Sequence, residues 1–285
     1  YMDTHNIARV REVQDAIRNL YKEDAAKYEK KSGKKLLVRR IYDMIVSQME
    51  NKKKRIVAKD IRDKKGDRFE WFAEEFEYLI SSGIALDVHA ISNPKYPLSE
   101  SVHKNLLKLY LSDVGLLTNL LYGTNIKAVL KDERSVNLGA VYESAVAQEL
   151  HAHGFSLHYY DNKQKGEVDF LIDDYERLTV LPIEVKSGKD YRIHSALDKF
   201  LATPDYNINR GVVLCNEPKA HSDKGIIYMP IYYCMLFLRD NSKESDNIIT
   251  ELTLPEQAAD DKQVPLFLQT KSEQALNDRF RVLSA

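Results

Sequence analysis

Two short apolar runs with acidic residues set inside them constrain this chain more than any other feature. Residues 167–173 read Glu-Val-Asp-Phe-Leu-Ile-Asp and residues 178–185 read Leu-Thr-Val-Leu-Pro-Ile-Glu-Val, with Asp174-Tyr175-Glu176-Arg177 between them. Apolar and β-branched runs of this length joined by a polar turn predict two paired strands. Side chains alternate along a strand, so Glu184 and Lys186 project together while Ile183 and Val185 enter the core. A glutamate beside a lysine at a strand end, facing Asp169 from the hairpin partner, has little to gain as core. Such a carboxylate pair can hold a hard divalent cation, usually Mg²⁺, through oxygen ligands. The cation can polarise a phosphodiester oxygen and acidify a bound water. Lys186 can orient that water or stabilise the phosphorane charge. Glu143, on the preceding helix, stands as an extra ligand beside a packing face of Val141, Ala145, Val146 and Leu150.

The surroundings read as α/β. A helix is expected over 136–153, ended by Gly154, and a strand over 155–160. The turn Asp161 to Gly166 leads into the first of the two runs. A helix over 192–201, strands over 211–215 and 225–229, and a short helix over 231–238 complete the pattern. Helices that cross between strands predict a mixed sheet.

The N-terminal part is helical. Ile7, Val10, Val13, Ile17, Leu20 and Tyr21 keep helical spacing over 7–30, with Ser32-Gly33 as the break. Leu37, Ile41, Ile45 and Met49 do the same over 36–49. A short helix over 57–61, a longer one over 68–82 closed by Gly83, and strands over 84–91 and 106–111 follow. Helix, short helix, longer helix, hairpin is the winged-helix order. Glu70, Glu74, Glu75 and Glu77 lie on the helix that would face DNA phosphates, which favours a structural or protein-contact role. Residues 112–135 read as a connector and 241–285 as a polar tail. The expected units are thus 1–111, helical and winged-helix-like, 136–240, α/β, and the two segments named.

Charge and composition narrow the class. With 44% hydrophobic and 30% charged residues the chain is expected to be globular and soluble. The two cysteines, Cys215 and Cys234, form no C-x-x-C pair, so a reducing cytoplasm is expected rather than a disulfide scaffold or cysteine-rich zinc site. The apolar run 226–238 is too short for a membrane helix, no secretory leader is expected, and the start at Tyr1-Met2 reads as the cut end of something longer. The net charge of −1 combines +8 over residues 1–70 with −9 over the remainder. Any phosphate contact is therefore expected from the N-terminal quarter and from lysines around the site. The plainer reading of Lys52-Lys53-Lys54-Arg55 and Lys64-Lys65 is solvated turns, and charge alone favours it.

The order Glu143, Asp169, Glu184-Val185-Lys186 on helix, strand and strand resembles the PD-(D/E)xK nuclease superfamily, above all the branch with archaeal Holliday-junction resolvases. Residues from about 36 to 238 resemble the C-terminal half of a large prokaryotic group of AAA-type ATPases. There an ATPase domain precedes a winged helix and a nuclease-like domain of unknown function. Leu116-Leu117, Gly139 to Leu150, Glu167 to Leu171, Ile183 to Lys189 and Arg210 to Leu214 carry this similarity. It implies a winged-helix domain followed by a restriction-endonuclease-like α/β domain with a central mixed sheet. It also implies Asp169 and Glu184 as metal ligands, Glu143 in support, and Lys186 as catalytic base or charge stabiliser. Mg²⁺ is the implied cofactor, DNA and the parent ATPase domain the implied partners, and a membrane is not. No G-x-x-x-x-G-K-[ST] occurs, so no nucleotide site is expected in this chain.

Each reading has a plainer rival. Asp169, Glu184 and Lys186 are also consistent with a surface salt-bridge cluster on an inert nuclease-derived scaffold that binds DNA or a protein. Lys163, Lys165, Lys189 and Arg192 are placed to contact a phosphate backbone, or are ordinary turn charge. His151 and His153 are two apart on a helix and point to different faces, which disfavours zinc; His158 is expected on a strand surface. The 17 tyrosines read as packing with a polar tip. Cys215 is expected to be buried and inert.

Overall fold

The computed structural model describes residues 6–28, 32–49, 54–123, 125 and 138–237. The segment expected to loop at 124–135 (Asn125 apart) and the tail from 241 lie outside the described residues.

The N-terminal helices are α1 (Ile7–Tyr28), α2 (Ser32–Met49), α3 (Ala58–Arg62) and α4 (Ala73–Ser81), the last preceded by a 3₁₀ turn at Phe69–Phe72. Helix α2 begins at Ser32, four residues earlier than its apolar stripe predicts, so the Ser32-Gly33 pair expected as a break lies in its first turn, and Leu36 is exposed. Ile41 and Ile45 of α2, Ile61 of α3 and Phe72 are fully buried, as their spacing requires. Gly83, at φ +71°, ends α4 in the left-handed conformation that glycine adopts without strain.

The hairpin β1 (Ala85–Ile91) and β2 (Val102–Leu111) follows. Then come α5 (Val114–Tyr122), capped by the Asp113 carboxylate on the Gly115 amide, and α6 (Gly139–Ala152). Strands β3 (His158–Asn162), β4 (Gly166–Asp174) and β5 (Thr179–Val185) form a meander. Helix α7 (Ser195–Leu201), β6 (Gly211–Cys215), β7 (His221–Asp223), β8 (Ile226–Pro230) and a 3₁₀ turn at Ile231–Leu236 close the described fold. The three-residue β7, His-Ser-Asp, has no apolar pattern and is legible only from its antiparallel pairing with β8.

All eight strands belong to one mixed sheet in the order β2-β1-β3-β4-β5-β6-β8-β7. Strand β1 pairs in parallel with β3 through His89–His158, Ala90–Tyr159 and Ile91–Tyr160. The hairpin expected to be a wing therefore extends the central sheet, and one sheet runs through both expected units. The physical reason lies in β1 itself, where Val88, Ala90 and Ile91 are fully buried and its edge groups find partners in β3. Helices α1 to α6 cover one face, with Tyr159, Phe170, Ile172 and Ile183 beneath them. Helix α7 covers the other, burying Leu197 and Phe200 against Tyr160, Leu171 and Val213. Fully burying a side chain such as Leu197 or Phe200 contributes roughly 1.5–3 kcal/mol. Among the described residues no helix is long and apolar enough to cross a membrane.

Candidate active site

The site forms where β4 and β5 separate. Their ladder runs from Asp174–Thr179 to Phe170–Ile183 and goes no further. Beyond it the Val185 amide donates to Asp169 Oδ2 at 2.8 Å, so a carboxylate occupies the place of the next backbone acceptor. Between the pairs His158–Leu171 and Tyr160–Val168, β4 carries one residue more than β3. Asp169 sits in this bulge, a device that re-aims a side chain next to its neighbours. The Lys186 amide donates to the Leu214 carbonyl at 2.8 Å, which holds the end of β5 to β6.

Glu184 and Lys186 project together as alternation predicts, with Lys186 Nζ 2.8 Å from Glu184 Oε1. Ile183 and Val185 are buried. The surface-cluster reading of the glutamate does not hold, because Glu184 is only 6% exposed. Its other oxygen, Oε2, is buried and has no hydrogen-bond partner. Burial pushes the Glu184 carboxyl above its ordinary range, against the pull of Lys186. Burial also raises Asp169 well above its ordinary range, and the nearby Glu143 and Glu184 charges add to this. For Lys186 burial works to lower the pKa, but the Glu184 contact and the charges of Asp169 and Glu143 outweigh it, and the ammonium titrates higher than a free lysine.

Glu143 lies inside the buried stripe of α6, with Ala140, Ser144, Ala147 and Leu150, and not beside it. Val141 and Ala145, expected on the packing face, are partly exposed, so the stripe is rotated from the one read in sequence. Glu143 can be buried because its oxygens are both engaged: Lys54 Nζ contacts Oε1, and the Tyr110 hydroxyl donates to Oε2 at 3.2 Å. Lys54 comes from the basic run that sequence reads as solvated. That reading is corrected for Lys54 and for Arg55, which lies 3.5 Å from Asp161; Lys52 and Lys53 lie outside the described residues, and Lys64 and Lys65 are exposed.

Sequence reasoning misses two further members besides Lys54. Lys108, on β2, is fully buried, donates to Glu167 Oε1 at 2.5 Å and lies 4.3 Å from the centre of the Tyr159 ring. Burial works to lower its pKa, yet Glu167, Glu143 and Asp169 raise it overall, so it stays charged. Tyr110, two residues on, carries a hydroxyl pushed well above its usual value by burial and by Glu143. The signal was present as a charged residue in the apolar run Leu106-Leu107-Lys108-Leu109-Tyr110-Leu111. Only the union of the hairpin with β3 brings that strand to the carboxylates.

The basic residues expected at DNA are divided. Lys163 and Lys189 are exposed, in the turn before β4 and the loop after β5, both at the site's end of the sheet. Lys165 is held by Thr203 Oγ1 at 2.8 Å and by the Tyr206 ring. Arg192 donates to the Tyr191 hydroxyl and, with His194 and Tyr228, lines a cleft of about 540 Å³ beside α7. His194 is buried and shares a 2.7 Å hydrogen bond with the Tyr228 hydroxyl. His158, expected on a surface, is buried. Cys215 is buried, as expected.

A hard divalent cation fits the donor chemistry of Asp169 and Glu184, and the unsatisfied Glu184 Oε2 is the kind of atom that such a cation would satisfy. Glu143 does not complete the set in this conformation. Among the described residues no three His, Cys, Asp or Glu side chains are grouped closely enough to hold a metal ion.

Two families match parts of this chain. Residues 138–234 match a domain of unknown function, DUF4143, and residues 1–127 match another, DUF8612. No curated protein and no solved structure matches. The hairpin falls in the first of these two segments along the chain and the carboxylates in the second, so the sheet and the charged cluster are built from both.

Proposed function

We propose that this chain carries a PD-(D/E)xK-type phosphodiesterase site that acts on DNA with Mg²⁺, on a nuclease-like domain next to a winged-helix-like unit, as part of a protein that includes an AAA-type ATPase. One observation carries the reading. A buried glutamate keeps one oxygen on Lys186 and the other without a partner, next to Asp169 in the gap between two separating strands. An unpaired buried carboxylate oxygen is costly, and a catalytic cation is a reason to keep one.

Asp169 and Glu184 would hold the cation, which when bound supplies Lewis-acid polarisation of the phosphodiester and a more acidic water. Lys186 has a specific part. The Glu184 contact and the charges of Asp169 and Glu143 raise its pKa against the effect of burial, and its ammonium would donate to the attacking water or to the developing phosphorane charge. Lys163 and Lys189 are exposed in the turn before β4 and the loop after β5, where a phosphate backbone could reach them. The test is cleavage of plasmid and branched DNA with Mg²⁺ or Mn²⁺. Lys186→Ala and Asp169→Asn are each expected to lower the rate by at least about 100-fold. An inactive wild type under both metals removes the reading.

The second reading is a catalytically inert module that binds DNA or a protein for its ATPase partner. What favours it is the neutralisation of the carboxylates by the chain's own Lys54, Lys108 and Lys186. It expects Asp169→Ala to leave DNA or partner binding unchanged.

A further inference from the structure

The carboxylates that would attract a divalent cation are already served by ammonium groups, and one of these stands on a segment outside helix and strand, anchored by the buried Ile56. Lys186 directly follows the strand that carries Glu184 and is held to β6 by its amide on the Leu214 carbonyl, and Lys108 is fully buried in β2. Lys54 lies just outside secondary structure, at the start of a short segment laid on the outer edge of the sheet. That segment is held by the Ile56 amide on the Leu107 carbonyl at 2.8 Å, by an isolated bridge between Arg55 and Lys108, and by the looser 3.5 Å approach of Arg55 to Asp161. Its tip places Lys54 Nζ on Glu143 Oε1, with 15% and 9% of the two side chains exposed. Glu143 is the one carboxylate of the expected ligand set that is turned away from a metal role, and Lys54 with Tyr110 is what occupies it.

We propose that Lys54 is a built-in competitor for the metal, and that the segment 54–56 is an autoinhibitory strap. While Lys54 neutralises Glu143, the site offers a cation two carboxylates. When the strap leaves the edge of β2, Glu143 keeps the Tyr110 hydroxyl on Oε2 but loses its counter-charge on Oε1 within the field of Asp169, and a divalent cation can take the place of the ammonium. The exchange swaps one counter-charge for another, which is why the same cluster tolerates both. The strap immediately precedes α3, so anything that moves the N-terminal helices relative to the sheet loads or unloads the site. The inference rests on the metal-site reading above and adds its regulation.

The experiment is Mn²⁺ binding to the full chain by calorimetry and by electron paramagnetic resonance, on wild type, Lys54→Met, Lys54→Arg, Asp169→Asn and the double variant Lys54→Met/Glu143→Gln. Lys54→Met keeps the aliphatic stem and removes the charge. It is expected to bind Mn²⁺ about ten-fold or more tightly than wild type, while Lys54→Arg stays within about three-fold of it. The gain is expected to vanish in the double variant, which separates release of Glu143 from a general loss of positive charge. Circular dichroism of each variant establishes that it is folded. Equal affinity of wild type and Lys54→Met, or a gain that survives Glu143→Gln, overturns the strap while leaving the metal site intact. Undiminished Mn²⁺ binding by Asp169→Asn removes the metal site as read, and the strap with it. Tighter Mn²⁺ binding without DNA cleavage upholds the strap and removes the nuclease reading alone.

Discussion

A lysine with no exposed surface is the residue that most departs from what composition teaches, and Lys108 shows how it is tolerated. Its ammonium meets Glu167 at 2.5 Å and the Tyr159 ring at 4.3 Å, and its stem runs through an apolar strand. Breaking a buried pair from one side leaves the other charge unpaired, but Glu167 is one-third exposed and can regain water. Lys108→Met should therefore cost about 1–3 kcal/mol in urea titrations, and Lys108→Met/Glu167→Gln should recover most of it. Equal losses in the single and double variants would show that the stem's packing matters and the pair does not. Asp169, Glu184 and Lys186 were legible because strand alternation alone sets them apart from Ile183 and Val185. Lys54, Lys108 and Tyr110 were not, because their partners lie 33 residues or more away along the chain. Spacing rules describe one element, and cannot see a contact made by folding one strand beside another.

At the scale of elements, the helices and strands followed from periodicity, and the misjudged ones had weak patterns. The 3₁₀ turn at Phe69–Phe72 was read as helix because its aromatics keep helical spacing into α4. The bulge at Asp169 left no trace, since an extra residue in a ladder is defined by the partner strand. The parallel seam of β1 and β3 makes its own prediction. It sets His158 level with His89, and His158 is 5% exposed with Asp87 beyond His89 and the Ser156 backbone below. Burial, and then His89, hold the His158 pKa down at about 4, against 6.5 in the unfolded chain. A depressed pKa means that the unfolded chain takes up the proton first. The stability it contributes is whole above pH 6.5 and is lost as pH falls towards 4. Between pH 7 and pH 4.5 this single group should remove about 2–3 kcal/mol. His158→Leu should be stable to within about 1 kcal/mol of wild type at pH 7 and lose correspondingly less by pH 4.5, read from urea midpoints. An identical acid slope in the two proteins rules out His158 as the titrating group.

For the whole molecule, the sequence divides into a helical unit to 111 and an α/β unit from 136, and the two family matches end at 127 and begin at 138, close to the same division. Yet β1 and β2 form one side of the same sheet as β3 to β8, and Phe170, Val146 and Leu150 share a core with Ile41, Ile45 and Tyr110. Cutting between the two would strip β3 of its parallel neighbour, uncover a flat edge beside Tyr159 and Tyr160, and leave Glu143 and Glu167 without Lys54, Tyr110 and Lys108. An uncovered apolar edge associates, and buried unpaired carboxylates destabilise what remains. The intact chain should therefore unfold in one calorimetric transition over its described fold, and a fragment of residues 112–285 should be aggregated or lack a cooperative transition on its own. Size-exclusion chromatography with circular dichroism measures both. A monomeric 112–285 fragment that melts cooperatively would mean that the sheet's two sides are separate domains that happen to pair. The buried ion pairs across the seam would then be an interface able to open, with Lys54 at its margin.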